Sequence, residues 1–478
     1  MLFNSLEFFF FFIAVYGLYL ISPFRWQNRL LIVASCLFYA AWNWKFLALM
    51  FVSITTDYFC AKYMDQTNDE KRRRLLLALS IGVNLTILGF FKYFNFFSSN
   101  LSALLATIFP TSHAALSKWT LNIILPVGIS FYTFEAISYT FDVYRRIIKP
   151  AQRYWDYVIF VIYFPHLVAG PIMRAKDFLP QIIAPRVLSL EQFYEGCSLV
   201  FWGYFEKLFI ADNLAKIVNP VFTAAPPYDG ASVLIALYAF AFQIFCDFDA
   251  YSNIARGLGK CMGFEITINF KWPYFVTNPV DFWRRWHISL SSWLRDYLYI
   301  PLGGSRQSTL LTYRNLFITM FLGGLWHGAS WTFVLWGVYH AILLISHRII
   351  TSRNASEPEP AQKNEQPWLT FLKTLFFFHL VVFGWLLFRA GSLTQVIAML
   401  KGLCFHFHFN NEAQEMFLHF VGIMLPLLGI QLWQYYKKDL SVLFHQHWFV
   451  KTFLYALMTY LILGWGVLKA EEFIYFQF

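Results

Sequence analysis

The arrangement of apolar residues constrains the fold of this chain more than any other feature. Apolar runs recur from one end of the sequence to the other, and short clusters of Lys and Arg separate them. With 58% hydrophobic and 13% charged residues, the 478 residues cannot cover a water-soluble fold with polar surface. We therefore predict an all-α, polytopic integral membrane protein with about 11 to 13 membrane segments. The candidate segments are 6–21, 30–43, 46–61, 75–91, 121–141, 155–169, 194–211, 231–248, a broken hairpin at 313–347, 369–388, 417–434 and 450–468.

The basic residues indicate membrane topology, and they argue against nucleic acid as a partner. The formal net charge is +10, but the cations stand in short clusters between apolar runs, as the positive-inside rule describes. If the clusters at 25–29 and 71–74 are cytoplasmic, the N-terminus faces outward from the cytoplasm. If the cluster at 437–438 is cytoplasmic, the last span places the C-terminus on the outward side too. The first run lacks a basic segment before it, so we interpret it as a retained span. Six scattered cysteines indicate neither disulfides nor a metal site.

The segment 279–304 is basic, rich in tryptophan and amphipathic. Trp286, Leu290, Trp293 and Tyr297 follow one another at steps of four, three and four residues, so a helix would place them on one face. The arginines of the segment fall elsewhere. This pattern predicts an interfacial helix, with His287 within it.

The segment 313–347 is apolar but interrupted, because Gly323-Gly324 and Gly328 bracket Leu325-Trp326-His327. A helix from Arg314 would carry the imidazole of His327 roughly 20 Å into a core about 30 Å thick. Non-helical backbone at that depth must be buried in protein or line a cavity. Histidine is costly there, so His327 is a candidate functional residue. The alternative is a structural histidine that hydrogen-bonds between helices.

Five blocks of the sequence carry a family resemblance: 163–174 (YFPHLVAGPIMR), 243–264, 269–304, 322–340 (LGGLWHGASWTFVLWGVYH) and the terminal FIYFQF. With them the chain resembles the membrane-bound O-acyltransferase superfamily, in particular its bacterial polysaccharide O-acetyltransferases that modify alginate or peptidoglycan. Branch relatives often read DFSGYSD where this chain has DFDAYSN, which leaves the roles of Asp249 and Asn253 open.

The resemblance implies one integral-membrane domain over residues 1–478, with interfacial and re-entrant helices around a central tunnel. It also implies the bacterial inner membrane, acetyl-coenzyme A as a co-substrate, and no bound cofactor or metal. By resemblance His327 is the catalytic histidine and His287 a second one near the donor entrance. An imidazole is suited to remove the proton of an attacking hydroxyl. For His287, the alternative is a ring at the lipid headgroup level.

The remaining site residues each have a structural alternative. Arg284, Arg285 and Arg295 suit the phosphates of coenzyme A, although any one of them is better explained by lipid headgroups or topology. Trp326 and Ser330 are expected to shape the tunnel, or to serve as packing. His166 lies in a family block and lines the acceptor path or packs in the core.

The C-terminal residues 469–478 form an aromatic tail, predicted to be extracytoplasmic. Composition alone favours an aromatic anchor at the membrane interface. The spacing F-x-Y-x-x-F from Phe473 resembles the motif of the small membrane peptide in teichoic-acid D-alanylation systems. That resemblance makes Tyr475 a candidate covalent acyl carrier.

These interpretations together predict a membrane O-acetyltransferase component that takes acetyl groups from a cytoplasmic donor and passes them outward to a cell-envelope polysaccharide. No sizeable extracytoplasmic domain is visible, so we expect a separate SGNH-type O-acetyltransferase or esterase, periplasmic or membrane-anchored, as a partner. Two alternatives remain at this point: D-alanyl transfer from a carrier protein, and a transporter without acyl chemistry. The polar stretch 351–367 is predicted to be a mobile cytoplasmic loop.

Overall fold

The protein is described by a computed structural model that covers residues 1–108, 120–168, 170–354, 366–469 and 473–474, without the side chains of 352–354. Every regular element within these ranges is helical. The chain divides into two compact units. The first unit comprises residues 1–188, 262–266 and 328–330, and the second comprises 189–261, 267–327 and 331–478.

The first unit contains the helices α1 to α9. Their bounds are Leu6–Ile21 (α1), Phe24–Asn43 (α2), Lys45–Asp65 (α3), Glu70–Leu88 (α4), Phe94–Ile108 (α5), Ile129–Tyr144 (α6), Tyr154–Ile162 (α7), Phe164–Leu167 (α8) and Ala175–Ile183 (α9). One wide π-helical turn, Gly89–Tyr93, joins α4 to α5.

The second unit contains the helices α10 to α20. Their bounds are Leu190–Tyr204 (α10), Asp212–Thr223 (α11), Gly230–Cys261 (α12), Pro279–Arg285 (α13), Ile288–Leu294 (α14), Thr309–His327 (α15), Trp331–Asn354 (α16), Pro367–Arg389 (α17), Leu393–Phe405 (α18), Asn411–Lys437 (α19) and Trp448–Trp465 (α20). Two π-helical turns, Phe205–Ala211 and Arg295–Tyr299, follow α10 and α14.

Long apolar helices confirm a multi-pass membrane protein. Six helical stretches in the described ranges are long and apolar enough to cross a bilayer: Glu70–Ile108, Gly230–Cys261, Trp331–Thr351, Pro367–Arg389, Asn411–Lys437 and Trp448–Trp465. Several of them expose large apolar side chains, and in α20 only Met458 and Ile462 are buried. An apolar surface of this kind requires lipid around it.

Helix α12 is the core of the second unit. In contrast to α20, 83% of the residues in the most apolar stretch of α12 are buried within the protein. Its close contact with α10 depends on small residues, since a Cβ on Gly257 would lie 2.5 Å from the carbonyl oxygen of Gly196. Small residues at helix crossings allow this approach in membrane proteins. The carboxylate of Asp229 accepts hydrogen bonds from the backbone N–H and the hydroxyl of Ser232, and so caps the start of α12.

Two predicted spans of the first unit are shorter than the sequence indicated. The segment 121–141 becomes helical only at Ile129, because Pro126 precedes it and Gly128 adopts a left-handed φ of 75°. A Cβ on Gly128 would lie 2.5 Å from the carbonyl oxygen of Leu167. The segment 155–169 divides at Tyr163, two residues before Pro165, into α7 and α8.

In the second unit the prediction of one interfacial helix through Trp286, Leu290, Trp293 and Tyr297 in the segment 279–304 is wrong. The helix stops at Arg285 and restarts at Ile288, because His287 adopts a left-handed backbone conformation. The predicted face nevertheless points inward, since Trp286, Leu290 and Trp293 are buried. Helix α18 was not among the predicted spans. The broken hairpin at 313–347 was among the predicted segments. Its break occupies only residues 328–330, and Gly323-Gly324 are helical.

Candidate active site

The two helices of the hairpin, α15 and α16, contact each other at two glycines. A Cβ on Gly324 would lie 2.4 Å from the carbonyl oxygen of Phe333, and one on Gly337 would lie 2.4 Å from that of Met320. Neither position can hold a larger residue unless the helices separate. The close crossing fixes the last turn of α15, which ends at His327, against the first turns of α16.

His327 lies in an aromatic enclosure and is 5% exposed. The centroid of its ring is 5.0 Å from that of Trp326, 4.9 Å from that of Trp336 and 5.2 Å from that of Phe388, each in an edge-on arrangement. Three aromatic walls keep bulk water from the imidazole. Such a site suits a general base, because side reactions with water compete less where water is excluded.

His287 is the second histidine of the site, and its side chain is fully buried. Its ring centroid is 4.6 Å from that of Phe248 and 6.1 Å from that of Trp326, so one tryptophan separates it from His327. Neither ring nitrogen has a hydrogen-bond partner among the described residues. Burial lowers the pKa of His287 to about 3, so the imidazole is neutral at physiological pH. The structure therefore does not support the alternative of a ring at the headgroup level.

The backbone of His287 is strained and is held by Asn269. At φ 43° and ψ 56°, a residue with a Cβ incurs about 1–2 kcal/mol. The buried Asn269 side chain accepts hydrogen bonds from the N–H and the hydroxyl of Ser289, and its own backbone carbonyl accepts one from Ile288. Its amide donates to Ser252 on α12, at 3.0 Å. Sequence reasoning did not single out Asn269, although it lies in one of the family blocks.

His340, on α16, is a third buried histidine that the sequence prediction missed. Its ring stacks on Phe282 at a centroid distance of 6.0 Å and meets the edge of Trp336 at 4.8 Å. Both of its nitrogens lack partners in the described part of the chain. Gly384 makes room for it, since a Cβ there would lie 3.1 Å from Nε2. Its position four residues after Trp336, on the same helical face, was the available signal.

A groove of about 550 Å³ lies in the second unit, near the aromatic rings that surround His327. Arg284 and Arg295 line it, whereas Arg285 instead donates to the carbonyl of Phe275. Arg284 pairs with Asp281 and Arg295 with Asp296, but both arginines are largely exposed, so these ion pairs are weak. His347 and Arg348 of α16 add to the polar wall of the groove.

Trp283 connects the groove to the histidines. It forms part of the groove wall, and its ring centroid is 5.7 Å from that of Trp336. Trp336 in turn contacts His327. The groove therefore ends two aromatic rings from His327.

The C-terminal tail contacts aromatic rings next to His287 through Phe473. Phe473 is fully buried, with ring centroids 4.4 Å from Tyr251 and 5.6 Å from Phe248. Because Phe248 also contacts His287, one ring separates Phe473 from that histidine. The prediction of an interfacial aromatic anchor is thus wrong for Phe473 and Ile474. Tyr475 and the three residues after it lie outside the described residues, as does most of the predicted loop 351–367.

An ion-pair network holds the tail in place. The backbone N–H of Ile474 donates to Asp247 Oδ2 at 2.8 Å, and Asp247 Oδ1 is 2.8 Å from Lys207 Nζ. Lys207 also contacts Asp212 at 2.9 Å. All three charged side chains are buried, so each needs its partners. Asp247 belongs to the DFDAYSN block, in which the prediction questioned only Asp249 and Asn253.

Three further predicted residues lie in different surroundings. Trp326 separates the two site histidines, as described. Ser330 lies in the short connection between α15 and α16 and is half-buried. His166, in the first unit, has Nδ1 3.2 Å from the carboxylate of Glu135, which also accepts a hydrogen bond from Met173 N. No group of three His, Cys, Asp or Glu side chains in the described ranges is arranged to hold a metal ion.

The fold is that of an integral membrane protein, and its three site histidines are buried inside the second unit, with His340 on a helix long and apolar enough to cross a bilayer. The family model of membrane-bound O-acyltransferases matches residues 152–388. The chain is 44% identical to a probable alginate O-acetylase (AlgI) of Pseudomonas putida, over 85% of this chain and 81% of the relative. It is 34% identical to a peptidoglycan O-acetyltransferase of Helicobacter pylori, over 87% and 83%. A teichoic acid D-alanyltransferase of Bacillus subtilis is 28% identical, over 56% and 69%.

The chain belongs to the membrane-bound O-acyltransferase family and is an acyltransferase. Its relatives of higher identity are the bacterial polysaccharide O-acetyltransferases, which confirms the branch that the sequence blocks indicated. A transporter without acyl chemistry is therefore set aside.

Proposed function

We propose that this protein takes an acetyl group from acetyl-coenzyme A on the cytoplasmic side and passes it, by way of Tyr475, to an extracytoplasmic acceptor. The observation that carries the proposal is one continuous series of ring contacts within the second unit. It runs from Trp283 in the groove wall through Trp336, His327, Trp326, His287 and Phe248 to Phe473 in the tail. Both the groove and the residues before Tyr475 are thereby close to the two histidines.

The groove is suited to an anionic donor. Arg284 and Arg295 are exposed enough to exchange their carboxylate partners for the phosphates of coenzyme A, which arginine can bind in a bidentate manner. Arg285 is committed to a backbone carbonyl, so we assign it a structural role. Ile288 and Met320 make the inner wall of the groove apolar, which fits the uncharged acyl end of the donor.

The proposed chemistry is one acyl transfer onto a phenol. His327 removes the proton from the hydroxyl of Tyr475 as the phenolic oxygen attacks the thioester carbonyl carbon. The new bond joins carbon to oxygen, the carbon–sulfur bond breaks, and the departing thiolate takes the proton back from the imidazolium. Neutral His287 adds a hydrogen-bonding group close to this step. The Lys207–Asp247 pair keeps the tail seated through Ile474.

The acceptor is proposed to be a cell-envelope polysaccharide, alginate or peptidoglycan, in line with the relatives of 44% and 34% identity. A partner enzyme of the SGNH type would move the acetyl group from Tyr475 to the glycan. We also propose that the protein resides in the bacterial inner membrane with both termini outside.

The test uses the full-length protein in lipid nanodiscs with acetyl-coenzyme A labelled in the acetyl group. Wild type is expected to cleave the thioester and to retain one labelled acetyl per chain. The variant His327→Ala should lose both, and Tyr475→Phe should lose the retained label. The exposed His445→Ala and Tyr436→Phe are matched controls that should behave as wild type.

Three results would contradict the proposal. Cleavage and labelling by His327→Ala at the wild-type level would remove the catalytic assignment. Label retained by Tyr475→Phe would place the acyl group on another residue. If wild type accepts only an alanyl group from a carrier protein, the D-alanyl alternative replaces acetyl transfer.

A further inference from the structure

A second groove, of about 820 Å³, lies entirely within the first unit. Its walls come from the start of α2, the segment 148–156 and helix α9. Four basic side chains line it: Arg25, Lys149, Arg153 and Lys176. The acyl-transfer chemistry proposed above uses no residue of this groove.

In the described ranges these four cations lack a close protein partner, although Arg153 interacts electrostatically with Asp156 beyond ion-pair distance. Among the described residues, none of them has an ion-pair partner within 4.0 Å or donates a side-chain hydrogen bond. All four are exposed. One acidic residue, Asp156, lines the groove with them. The groove thus carries a net charge of about +3, counting four cations and one carboxylate. That charge favours an anion.

The backbone adds to this positive potential. Helices α2, α7 and α9 all begin at the groove, and none has a side-chain hydrogen bond at its N-cap, where Pro23, Arg153 and Arg174 stand. The first N–H groups of a helix lack partners within it, and its N-terminus carries a partial positive charge. Three such ends supplement the four side chains.

The groove also has apolar walls, which indicate the kind of anion. Phe24, Leu179 and Ile183 line it beside the cations. Trp26 and Trp155, on the first turns of α2 and α7, are each 57% exposed. Exposed tryptophans at helix ends are typical of the membrane–water interface, where headgroups lie above acyl chains. A small soluble anion would not require apolar walls or an aromatic rim.

We propose that this groove binds the headgroup of an anionic phospholipid. Its phosphate lies among Arg25, Lys149, Arg153 and Lys176, and its acyl chains run along Phe24 and Ile183. Basic pockets between membrane helices bind such headgroups by charge and by hydrogen bonds. The bound lipid holds together the start of α2, α7 and α9, three elements whose cations otherwise repel each other.

The test measures lipid binding to the purified, delipidated full-length protein by native mass spectrometry. Phosphatidylglycerol should bind wild type in preference to phosphatidylcholine with the same acyl chains. Each single variant, Arg25→Gln, Lys149→Gln, Arg153→Gln or Lys176→Gln, should lower the bound-to-free ratio by up to about fivefold. The quadruple variant should lower it by more than about tenfold.

A control variant replaces four exposed cations of the same unit that do not line the groove: Lys71→Gln, Arg72→Gln, Arg74→Gln and Arg145→Gln. It should keep the preference of wild type. An equal loss in this control would mean a general charge effect and would overturn the site. Equal binding of the neutral lipid, or an unchanged bound-to-free ratio in every single variant, would also overturn the site.

Soluble phosphate compounds form the second arm of the experiment. Inorganic phosphate and coenzyme A are added at the same concentrations, and neither should show a loss of binding in the quadruple variant. Loss of coenzyme A binding there, with lipid binding unchanged, would identify the groove as a donor site and refute the lipid proposal. The four single variants keep the test valid if the quadruple variant does not fold.

Discussion

The left-handed backbone of His287 gives the prediction that separates backbone strain from side-chain function most clearly. At φ 43° and ψ 56°, any residue with a Cβ is disfavoured by about 1–2 kcal/mol, whereas glycine adopts this conformation freely. Both His287→Gly and His287→Ala remove a fully buried ring and leave the same kind of cavity. The two variants differ in this strain, which favours glycine, and in the backbone entropy and the one methyl group, which favour alanine by less.

We expect His287→Gly to be more stable than His287→Ala, although alanine is ordinarily the better residue in helical surroundings. A strain of about 1–2 kcal/mol corresponds to a difference in unfolding temperature of about 1–2 °C in a protein of 478 residues. Thermal unfolding of both variants in nanodiscs measures it. Acetyl transfer should fall in both variants to the same extent, because both lack the imidazole.

Equal stability of the two variants, or a higher stability of His287→Ala, would refute the strained conformation. Wild-type acetyl transfer by His287→Gly would show that the ring has no part in the reaction. The two readouts are independent, so one part of the reasoning can fail without the other.

Three other predictions follow from the contacts of Gly337, Asn269 and Asp229 in the second unit. Gly337→Ala should cost about 1–3 kcal/mol and reduce activity, because its Cβ would meet the Met320 carbonyl at 2.4 Å, whereas Gly82→Ala, with nothing within 4 Å, should be neutral or stabilising; unfolding temperatures decide this. Asn269→Ala should slow acetyl transfer about 5- to 30-fold as the His287 strain is released, and Asn269→Asp, which keeps the acceptor for Ser289, should lose less. Partial burial raises the pKa of Asp229, but hydrogen bonds from Ser232 and His408 together outweigh it and lower the pKa. The stabilisation by Asp229 is therefore complete above the ordinary carboxyl pKa and is lost as the pH falls through the lower folded value. Asp229→Ala should therefore be less stable than wild type by about 1 kcal/mol near neutral pH, and the two should converge below about pH 4 in pH-dependent unfolding.

Much of the candidate site could be predicted because it depends on rare residues in apolar surroundings. A histidine between glycines in a membrane segment is costly, so His327 could be selected from its neighbours alone. Family blocks identified His287. The three arginines could not be told apart, since the sequence does not show that Arg285 donates to the Phe275 carbonyl while Arg284 and Arg295 line a groove.

His340, Asn269 and the Lys207–Asp247 pair could not be predicted because their partners are distant in the sequence. Asn269 acts through residues 17 and 20 positions away, and Asp247 through Ile474, 227 positions away. No local pattern distinguishes such residues from ordinary polar ones. The same holds for the three helix starts that surround the basic groove of the first unit.

By itself, the sequence determined that this protein is an all-α membrane protein. Apolar runs and basic clusters are local properties, and they decide which segments enter the bilayer. It also determined the family, and it indicated His287 and His327 as candidate site residues. Where helices stop was decided partly by tertiary structure: the break at His287 depends on Asn269, and the start of α6 depends on a close approach to Leu167. Only the folded chain placed the groove, the three buried histidines of the second unit and the tail beside one another. That juxtaposition requires glycines at helix crossings and buried charges whose partners come from distant segments.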